Sequence, residues 1–265
     1  MSAGATDDPV VAGMVRRVLE GYRSCGPLAF AYGQGSTFTG FETRADLDIV
    51  LVWPEHSFAP ERRPARSLCD PDVEPVQYDG SGYGMDNLVI DGRDVQVINF
   101  ARPGFDHWCR LVEGGEGWHE DVWPCPLHVV AGFVYGLMLE DASGEGEAIR
   151  ARLSAPPVAL QASSRRTVAA ALPQYRKDLT SAAERGESWL FHTLATRLLK
   201  QAYVAWFAAE GYYLPFPKHL DRWIQRFGLD RELAEREPRI WRLPSLPLRR
   251  DAVLEFVERV VALGR

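Results

Sequence analysis

The chain has 265 residues, of which 46% are hydrophobic and 25% charged, and its formal net charge is −6. This composition is typical of a globular protein with a sizeable core and excludes disorder over the whole length. The longest nearly uncharged apolar run, Leu127–Leu139, is too short to cross a bilayer, so we expect no membrane span. The N-terminus lacks the pattern of a secretory signal, and four cysteines do not make a disulfide framework in a chain of this length. We therefore expect a cytoplasmic protein with reduced thiols.

The charges are distributed unevenly along the chain. Residues 1–126 contain 20 Asp and Glu against 10 Lys and Arg, whereas residues 127–265 contain 16 against 20. The acidic half suits a divalent metal or a cationic ligand, and the arginine-rich half suits phosphate groups. Both halves are also compatible with ordinary solvated surfaces. Neither half is basic enough to predict a nucleic-acid partner.

The first half of the chain mixes helix and strand patterns. In chain order it predicts a helix over Val10–Tyr22, an apolar run at Leu28–Tyr32, a buried strand at Leu47–Trp53 and a strand near Val76. Over Asn87–Phe100, two β-type runs flank the dipeptide Asp91-Gly92. Because Asp-Gly suits a two-residue turn with positive φ, this segment predicts a β-hairpin.

After Pro103 the apolar spacing becomes helical. The predicted helices are Leu127–Leu139, Gly146–Leu153, Val158–Arg185, Ser188–Glu210, Pro217–Phe227 and Arg250–Leu263. We expect Pro173 to kink or divide the third of these. A domain boundary near Pro124–Pro126 gives domains of residues 1–126 and 127–265. The predicted fold class is therefore α/β (α+β), with a mixed-sheet N-terminal domain followed by an all-α helical bundle.

Three carboxylates and a glycine-serine turn carry the chemistry of the first half. Asp46 and Asp48 enter an apolar strand two residues apart, so their side chains project to the same side. Two such carboxylates favour a bound cation, and their spacing suits one or two Mg²⁺ ions. Gly35 and Ser36 lie ten residues upstream, where backbone and hydroxyl can approach phosphate. Asp94, on the second strand of the hairpin, supplies a third carboxylate if the two strands are neighbours, and two metals held by three carboxylates fit in-line phosphoryl or nucleotidyl transfer.

These residues resemble the nucleotidyltransferase superfamily that includes DNA polymerase β. Its signature is a Gly-Ser turn, an acidic pair about ten residues later and a further acid on an adjacent strand, and the match covers about residues 28–100. A helical second domain is similar to the aminoglycoside nucleotidyltransferases, and the stretches YGLMLEDASG (135–144) and GYYLPFPKHLDRW (211–223) extend this similarity. The resemblance implies transfer of NMP, by default AMP, from an NTP co-substrate to an acceptor hydroxyl.

The resemblance also implies roles for individual residues. Asp46, Asp48 and Asp94 would be catalytic and bind Mg²⁺, while Gly35 and Ser36 would hold phosphates. Further candidates for binding the triphosphate are Arg44, Arg197, Lys200 and Lys218. Each of these cations is also compatible with a solvated surface, the acidic pair with an exposed strand start, and Asp94 with a solvated hairpin position.

Two other groups of residues allow alternative interpretations. The histidines and cysteines His107, Cys109, His119, Cys125 and His128 include one ligand-like gap, but their other intervals are irregular for a zinc site. Glu140 and Asp141 are candidates either for substrate contacts or for turn formation before Ala-Ser-Gly.

The acceptor is not readable from the sequence. A small hydroxylated molecule, such as an aminoglycoside-like antibiotic, suits the acidic first half because that half favours a cation. The alternatives are a Tyr, Ser or Thr side chain of a partner protein, or a catalytically silent NTP-binding module. The intact carboxylates argue against the silent module.

Overall fold

The chain divides into two compact units that interleave along the sequence. The structure is a computed structural model and describes residues 8–42, 45–55, 60–120 and 122–263. One unit, which contains the sheet, takes the chain up to Arg110 together with Val129–Ser154, and the other takes Leu111–His128 and Ala155–Arg265. This interleaving differs from the single boundary near Pro124–Pro126 that the sequence predicts.

The first unit is built on a six-stranded mixed sheet with the order β3-β4-β5-β2-β1-β6. The strands are β1 (Phe30–Gln34), β2 (Leu47–Trp53), β3 (Val76–Gly80), β4 (Tyr83–Ile90), β5 (Arg93–Ala101) and β6 (Leu137–Glu140). Strands β2 and β5 are parallel, and the other neighbours are antiparallel. Six of the seven residues of β2 are buried, because helices cover both faces of the sheet at its centre.

The helices of this unit are α1 (Pro9–Tyr22), the short α2 (Gly35–Phe38) and α3 (Ala65–Leu68), most of α4 (Arg102–Glu113) and α5 (Pro126–Tyr135), and α6 (Glu145–Arg152). Helix α1 packs its apolar stripe against Leu47, Ile49 and the other residues that β2 directs to that side. On the opposite face, Phe105 of α4 and Phe133 of α5 pack with their rings 5.2 Å apart.

The predicted β-hairpin is confirmed. Ile90 pairs with Arg93, and the two residues between them have positive φ, 52° at Asp91 and 72° at Gly92. The carboxylate of Asp70 accepts the backbone N–H groups of both turn residues, each at 2.9 Å. These hydrogen bonds stabilise the charged carboxylate and lower the pKa of Asp70.

A buried polar network lies on the α1 side of the sheet. Asp86, which is fully buried, accepts hydrogen bonds from Tyr22, Gln77 and Asn99 and lies 3.1 Å from Nε of the buried Arg63. Burial is the largest influence on this carboxyl group and raises the pKa of Asp86. The surrounding donors satisfy an acid that would otherwise be costly to bury.

The second unit is helical. It contains α7 (Val158–Glu184), α8 (Ser188–Ala209), α9 (Leu220–Phe227), α10 (Arg231–Arg242) and α11 (Leu246–Ala262). Helices α7, α8 and α11 pack against one another, and Tyr203, Trp206 and Phe256 form part of an aromatic core. None of the described helices is both long enough and apolar enough to cross a membrane.

Most predicted elements are found, and the predicted fold class, a mixed-sheet α/β unit and an all-α unit, is confirmed. Helix α7 runs through Pro173 without a break, so Pro173 does not divide that helix, and a kink there stays a prediction. Helices α4 and α10 were not among the predicted elements, and each carries an internal or first-turn proline, Pro238 in α10 and Pro103 in α4.

The single helix predicted over Leu127–Leu139 is also wrong. Helix α5 ends at Tyr135, and after Gly136 the chain becomes β6, which pairs with β1. A Cβ at Gly136 would lie 2.4 Å from the carbonyl oxygen of Gly33 and 2.6 Å from that of Gly132. Glycine therefore permits a close backbone approach at which the chain leaves the helix and joins the sheet.

The buried contact between Asp86 and Arg63 predicts that Asp86 and Asp79, which both approach this arginine, contribute very unequally to the free energy of unfolding. Asp86→Ala should reduce the free energy of unfolding by about 3–5 kcal/mol, because it leaves Arg63 buried and without its main counter-charge. Asp79→Ala is the matched control, since Asp79 also contacts Arg63 but its side chain is 45% exposed, and it should cost about 1 kcal/mol or less. Urea unfolding of both variants measures this difference, and equal losses would contradict it.

The hydrogen bonds from the hairpin turn to the Asp70 carboxylate predict a pH-dependent contribution to stability. Since folding lowers the pKa of Asp70, its contribution is present above the unfolded pKa of about 3.9 and is lost as the pH falls through the folded value. Asp70→Asn should therefore be less stable than wild type at pH 7, and the gap should close as the pH falls below about 4. Urea midpoints across this range test the prediction, which a gap independent of pH would contradict.

Candidate functional site

The glycine-serine turn and the second acid of the pair are in direct proximity. Gly35 follows the end of β1 and has φ +79°, a conformation that disfavours residues with a Cβ. A Cβ placed on Gly35 would lie 2.2 Å from Oδ2 of Asp48. In the sheet, Gln34 pairs with Asp48 across the antiparallel β1–β2 ladder. The fold therefore places the Asp48 carboxylate against the turn, as the sequence motif requires.

Ser36 contributes a buried hydroxyl to the same turn. The residue is 7% exposed, and its Oγ has no hydrogen-bond partner among the described residues. Most buried hydroxyl groups in proteins are hydrogen-bonded, so the Ser36 hydroxyl is a candidate for contact with a polar ligand.

The parallel register aligns the other two acids. Leu47 pairs with Val95 and Asp48 with Gln96, so Asp46 and Asp94 each come one residue before the first β2–β5 pair. Strand alternation directs Asp94 to the same side of the sheet as Asp48, opposite the side that buries Leu47, whereas Asp46 directly precedes β2. Asp46 and Asp94 are exposed, and Asp48 is half-buried.

The described residues contain no group of three His, Cys, Asp or Glu side chains that is close enough to hold a metal ion. The three acids are therefore aligned along neighbouring strands but do not form such a group. Their oxygen chemistry and the two-residue spacing of Asp46 and Asp48 fit Mg²⁺, which takes few protein ligands and completes its shell with water and phosphate. Magnesium binding stays a prediction.

Two side chains that the sequence analysis did not select hold the backbone at Asp46. Arg93 donates from Nε and from a terminal nitrogen to the carbonyl oxygen of Ala45, at 2.8 and 2.5 Å. The hydroxyl of Thr37, in α2, donates to the carbonyl oxygen of Asp46 at 3.0 Å and accepts from Arg93 at 3.2 Å. The only sequence signal for this role is the position of Arg93 directly before Asp94.

The cations predicted to contact the triphosphate lie in the helical unit, apart from one. Arg197 and Lys200, on one face of α8, line a small cavity together with Trp118, His119 and Gln201. Lys200 also donates weakly, at 3.5 Å, to the carbonyl oxygen of Glu120. Lys218 is exposed in the segment between α8 and α9. Arg44 lies outside the described residues.

The two alternative groups resolve differently. His107, Cys109, His119, Cys125 and His128 contribute to no metal-binding group within the described ranges. Asp141 accepts the backbone N–H of Glu147 at 2.8 Å at the start of α6, which supports its interpretation as a turn former. Glu140 forms an ion pair with Arg23 at 2.8 Å.

No protein-family model and no curated protein matches this chain. Among solved structures, the chain is similar to a nucleotidyltransferase-like protein from Exiguobacterium sibiricum 255-15. The sequence identity is 12% and the TM-score 0.47, over 95% of this chain and 76% of the other.

The close approach at Gly35 predicts the effect of adding one methyl group. Gly82→Ala is the matched control, because Gly82 has φ +82° but nothing within 4 Å of its added Cβ, so it should lose about 1–2 kcal/mol from backbone strain alone. Gly35→Ala should lose about 1–3 kcal/mol more, because the methyl group also displaces the Asp48 carboxylate. Urea unfolding compares the two variants.

A second background variant identifies why Gly35→Ala loses more stability than Gly82→Ala. In an Asp48→Ala background the Gly35→Ala loss should shrink to the level of Gly82→Ala, since the clashing carboxylate is absent. An excess that persists in this background would mean that Gly35 is needed for another reason.

Proposed function

We propose that this protein is a Mg²⁺-dependent nucleotidyltransferase that transfers NMP, by default AMP, from an NTP to a hydroxyl of a small molecule. The observation that carries the proposal is the turn at Gly35 and Ser36, which lies against the carboxylate of Asp48 and holds a buried hydroxyl that has no partner among the described residues. A phosphate group bound at this turn would lie close to the Asp48 carboxylate, and both groups are anionic. A bound cation such as Mg²⁺ is therefore needed between them.

The phosphate side of the proposal uses the turn. Gly35 has no side chain to keep a ligand away from its backbone, and Ser36 Oγ can donate to a phosphate oxygen. We assign the β- and γ-phosphates of the NTP to these two residues. A phosphate oxygen would satisfy the Ser36 hydroxyl, which has no partner within the described part of the chain.

The metal side uses the acids. Asp46 and Asp48 would hold Mg²⁺, which polarises the reacting phosphate and neutralises the charge that develops on it. Asp94, aligned with Asp46 by the β2–β5 register, would complete the metal site or take the proton from the acceptor hydroxyl. In either role, Asp94 acts from the same side of the sheet as Asp48.

The helical unit would supply cations for the triphosphate. We assign this role to Arg197 and Lys200, which lie three residues apart on one face of α8, and to Lys218, on the basis of their positive charge. For the acceptor, the excess of acidic residues in the first 126 positions favours a cationic hydroxylated molecule, with aminoglycoside-like antibiotics as the first class to test.

The four cysteines are free thiols, which supports a cytoplasmic location.

The direct experiment measures pyrophosphate release from each of the four NTPs with Mg²⁺ and a panel of acceptors that includes aminoglycosides. Release that depends on one acceptor and yields a product heavier by one NMP supports the proposal. Self-labelling or labelling of an added protein with NMP would favour a protein acceptor instead. NTP binding without turnover on any acceptor would favour the non-catalytic NTP-binding module.

The acidic pair predicts the largest loss of activity. Asp46→Asn and Asp48→Asn should each slow transfer by about 10³-fold or more, since loss of metal removes several kcal/mol of transition-state stabilisation. Asp91→Asn, which neutralises an exposed acid in the hairpin turn, is the control and should keep wild-type turnover. Steady-state rates decide the matter, and near wild-type turnover in either variant of the pair would refute the metal assignment.

The cation assignment predicts a change in nucleotide affinity. Lys218→Ala should raise the KM for NTP more than the KM for the acceptor, because it removes a charge that contacts phosphate. Lys177→Ala removes an exposed lysine from α7 and is the matched control. If both variants leave the KM for NTP unchanged, Lys218 belongs to the solvated surface.

A further inference from the structure

We propose that Arg93 is a positioning residue for Asp46, and that it acts together with Thr37 on the backbone rather than on substrate. The inference rests on the proposed function, because Asp46 is of interest as a metal ligand. It adds to that function a set of hydrogen bonds that orients the Asp46 carboxylate.

The ladders of the sheet do not fix the backbone of Asp46, so its position depends on other contacts. The first β2–β5 pair is Leu47 with Val95, and the last β1–β2 pair is Gln34 with Asp48, so Asp46 lies outside both ladders. The residue is also exposed, so side-chain packing does not fix it. A metal ligand, however, must be held within about 0.5 Å of its productive position.

Arg93 and Thr37 hold the two consecutive carbonyl groups at this point. The guanidinium of Arg93 donates twice to the Ala45 oxygen, and Thr37 Oγ1 donates to the Asp46 oxygen at 3.0 Å. The contact between Arg93 and Thr37 Oγ1, at 3.2 Å, joins the two anchors. With the peptide groups on both sides of the Asp46 Cα held, the direction of its side chain is restricted.

The chemistry of the anchor requires arginine. A planar guanidinium presents several donors in a fixed arrangement, so it can hold one carbonyl with two nitrogens and a hydroxyl with one of them. A lysine ammonium has the same charge, but its three donors rotate on one nitrogen at the end of a flexible chain. The anchor is itself held, because Arg93 directly follows the hairpin turn that Asp70 clamps through Asp91 and Gly92.

The competing explanation is that the Arg93 charge binds phosphate directly. Arg93→Lys separates the two explanations, because it keeps the positive charge but removes the planar arrangement of guanidinium donors. Thr37→Val and Thr37→Ser form a second pair, because valine preserves shape without the hydroxyl and serine preserves the hydroxyl. Arg66→Lys is the matched control, since Arg66 in α3 also donates to loop carbonyls, among them that of Pro71 at 2.8 Å.

The test measures Mn²⁺ affinity by electron paramagnetic resonance in the presence of α,β-methylene-ATP, a nucleotide that cannot be cleaved at the reacting bond. Arg93→Lys and Thr37→Val should weaken Mn²⁺ binding by about tenfold, as is usual when a partner that orients a metal ligand is lost. Thr37→Ser and Arg66→Lys should bind as wild type. In an Asp46→Asn background, Arg93→Lys should weaken binding less than about twofold, because the ligand that it positions is already lost.

The outcomes separate this inference from the proposed function. If Arg93→Lys binds Mn²⁺ as tightly as wild type while Asp46→Asn does not, the positioning role is wrong and the metal site survives. If Arg93→Lys weakens binding equally in both backgrounds, Arg93 does not act through Asp46, and the inference is again overturned. If the wild type binds no Mn²⁺, the proposed function fails and the inference fails with it.

Discussion

The parallel pairing of β2 with β5 is the constraint on which the rest of the site depends. Strand β2 lies at the centre of the sheet and is covered on both faces, so nearly all of its side chains must be apolar. Charged groups on this strand are therefore tolerated only at its beginning, where the ladder starts and solvent is accessible. The same pairing brings the beginning of β5 alongside, so that Asp94 directly precedes the first β2–β5 pair on one strand as Asp46 does on the other.

A second constraint is the space around the Asp48 carboxylate. The antiparallel partner of β2 ends at Gln34, and the chain turns at once into α2. Glycine suits this turn, both because φ is positive and because the Asp48 carboxylate occupies the position that a Cβ would take. The turn and the acid are thus dependent on each other.

The hairpin contributes to the site from its turn as well as from its strand. Asp70 holds the turn, the turn sets the start of β5, and Arg93 at that start reaches back to the carbonyl of Ala45. This chain of contacts joins residues that are 48 positions apart in the sequence. The buried network around Asp86 is formed on the α1 side of the sheet, so it supports the strands without contributing to the acids on the other side.

The sequence by itself determined the elements whose signals are local. The apolar run of β2 and the Asp-Gly turn both lie within short windows, and each was found where predicted. The order of the candidate residues was also readable, because the motif is short and its strand is distinctive. Their possible roles in binding metal and phosphate followed from residue chemistry alone.

Only the tertiary structure decided the features that depend on distant partners. The run Leu137–Glu140 is apolar enough for either helix or strand, and it became a strand because β1 offers it an edge at which Gly136 can approach Gly33. The interleaving of the two units follows from this return to the sheet. The anchoring of Asp46 by Arg93 and Thr37 was likewise invisible in the sequence, because hydrogen bonds between residues far apart in the chain leave no periodic pattern.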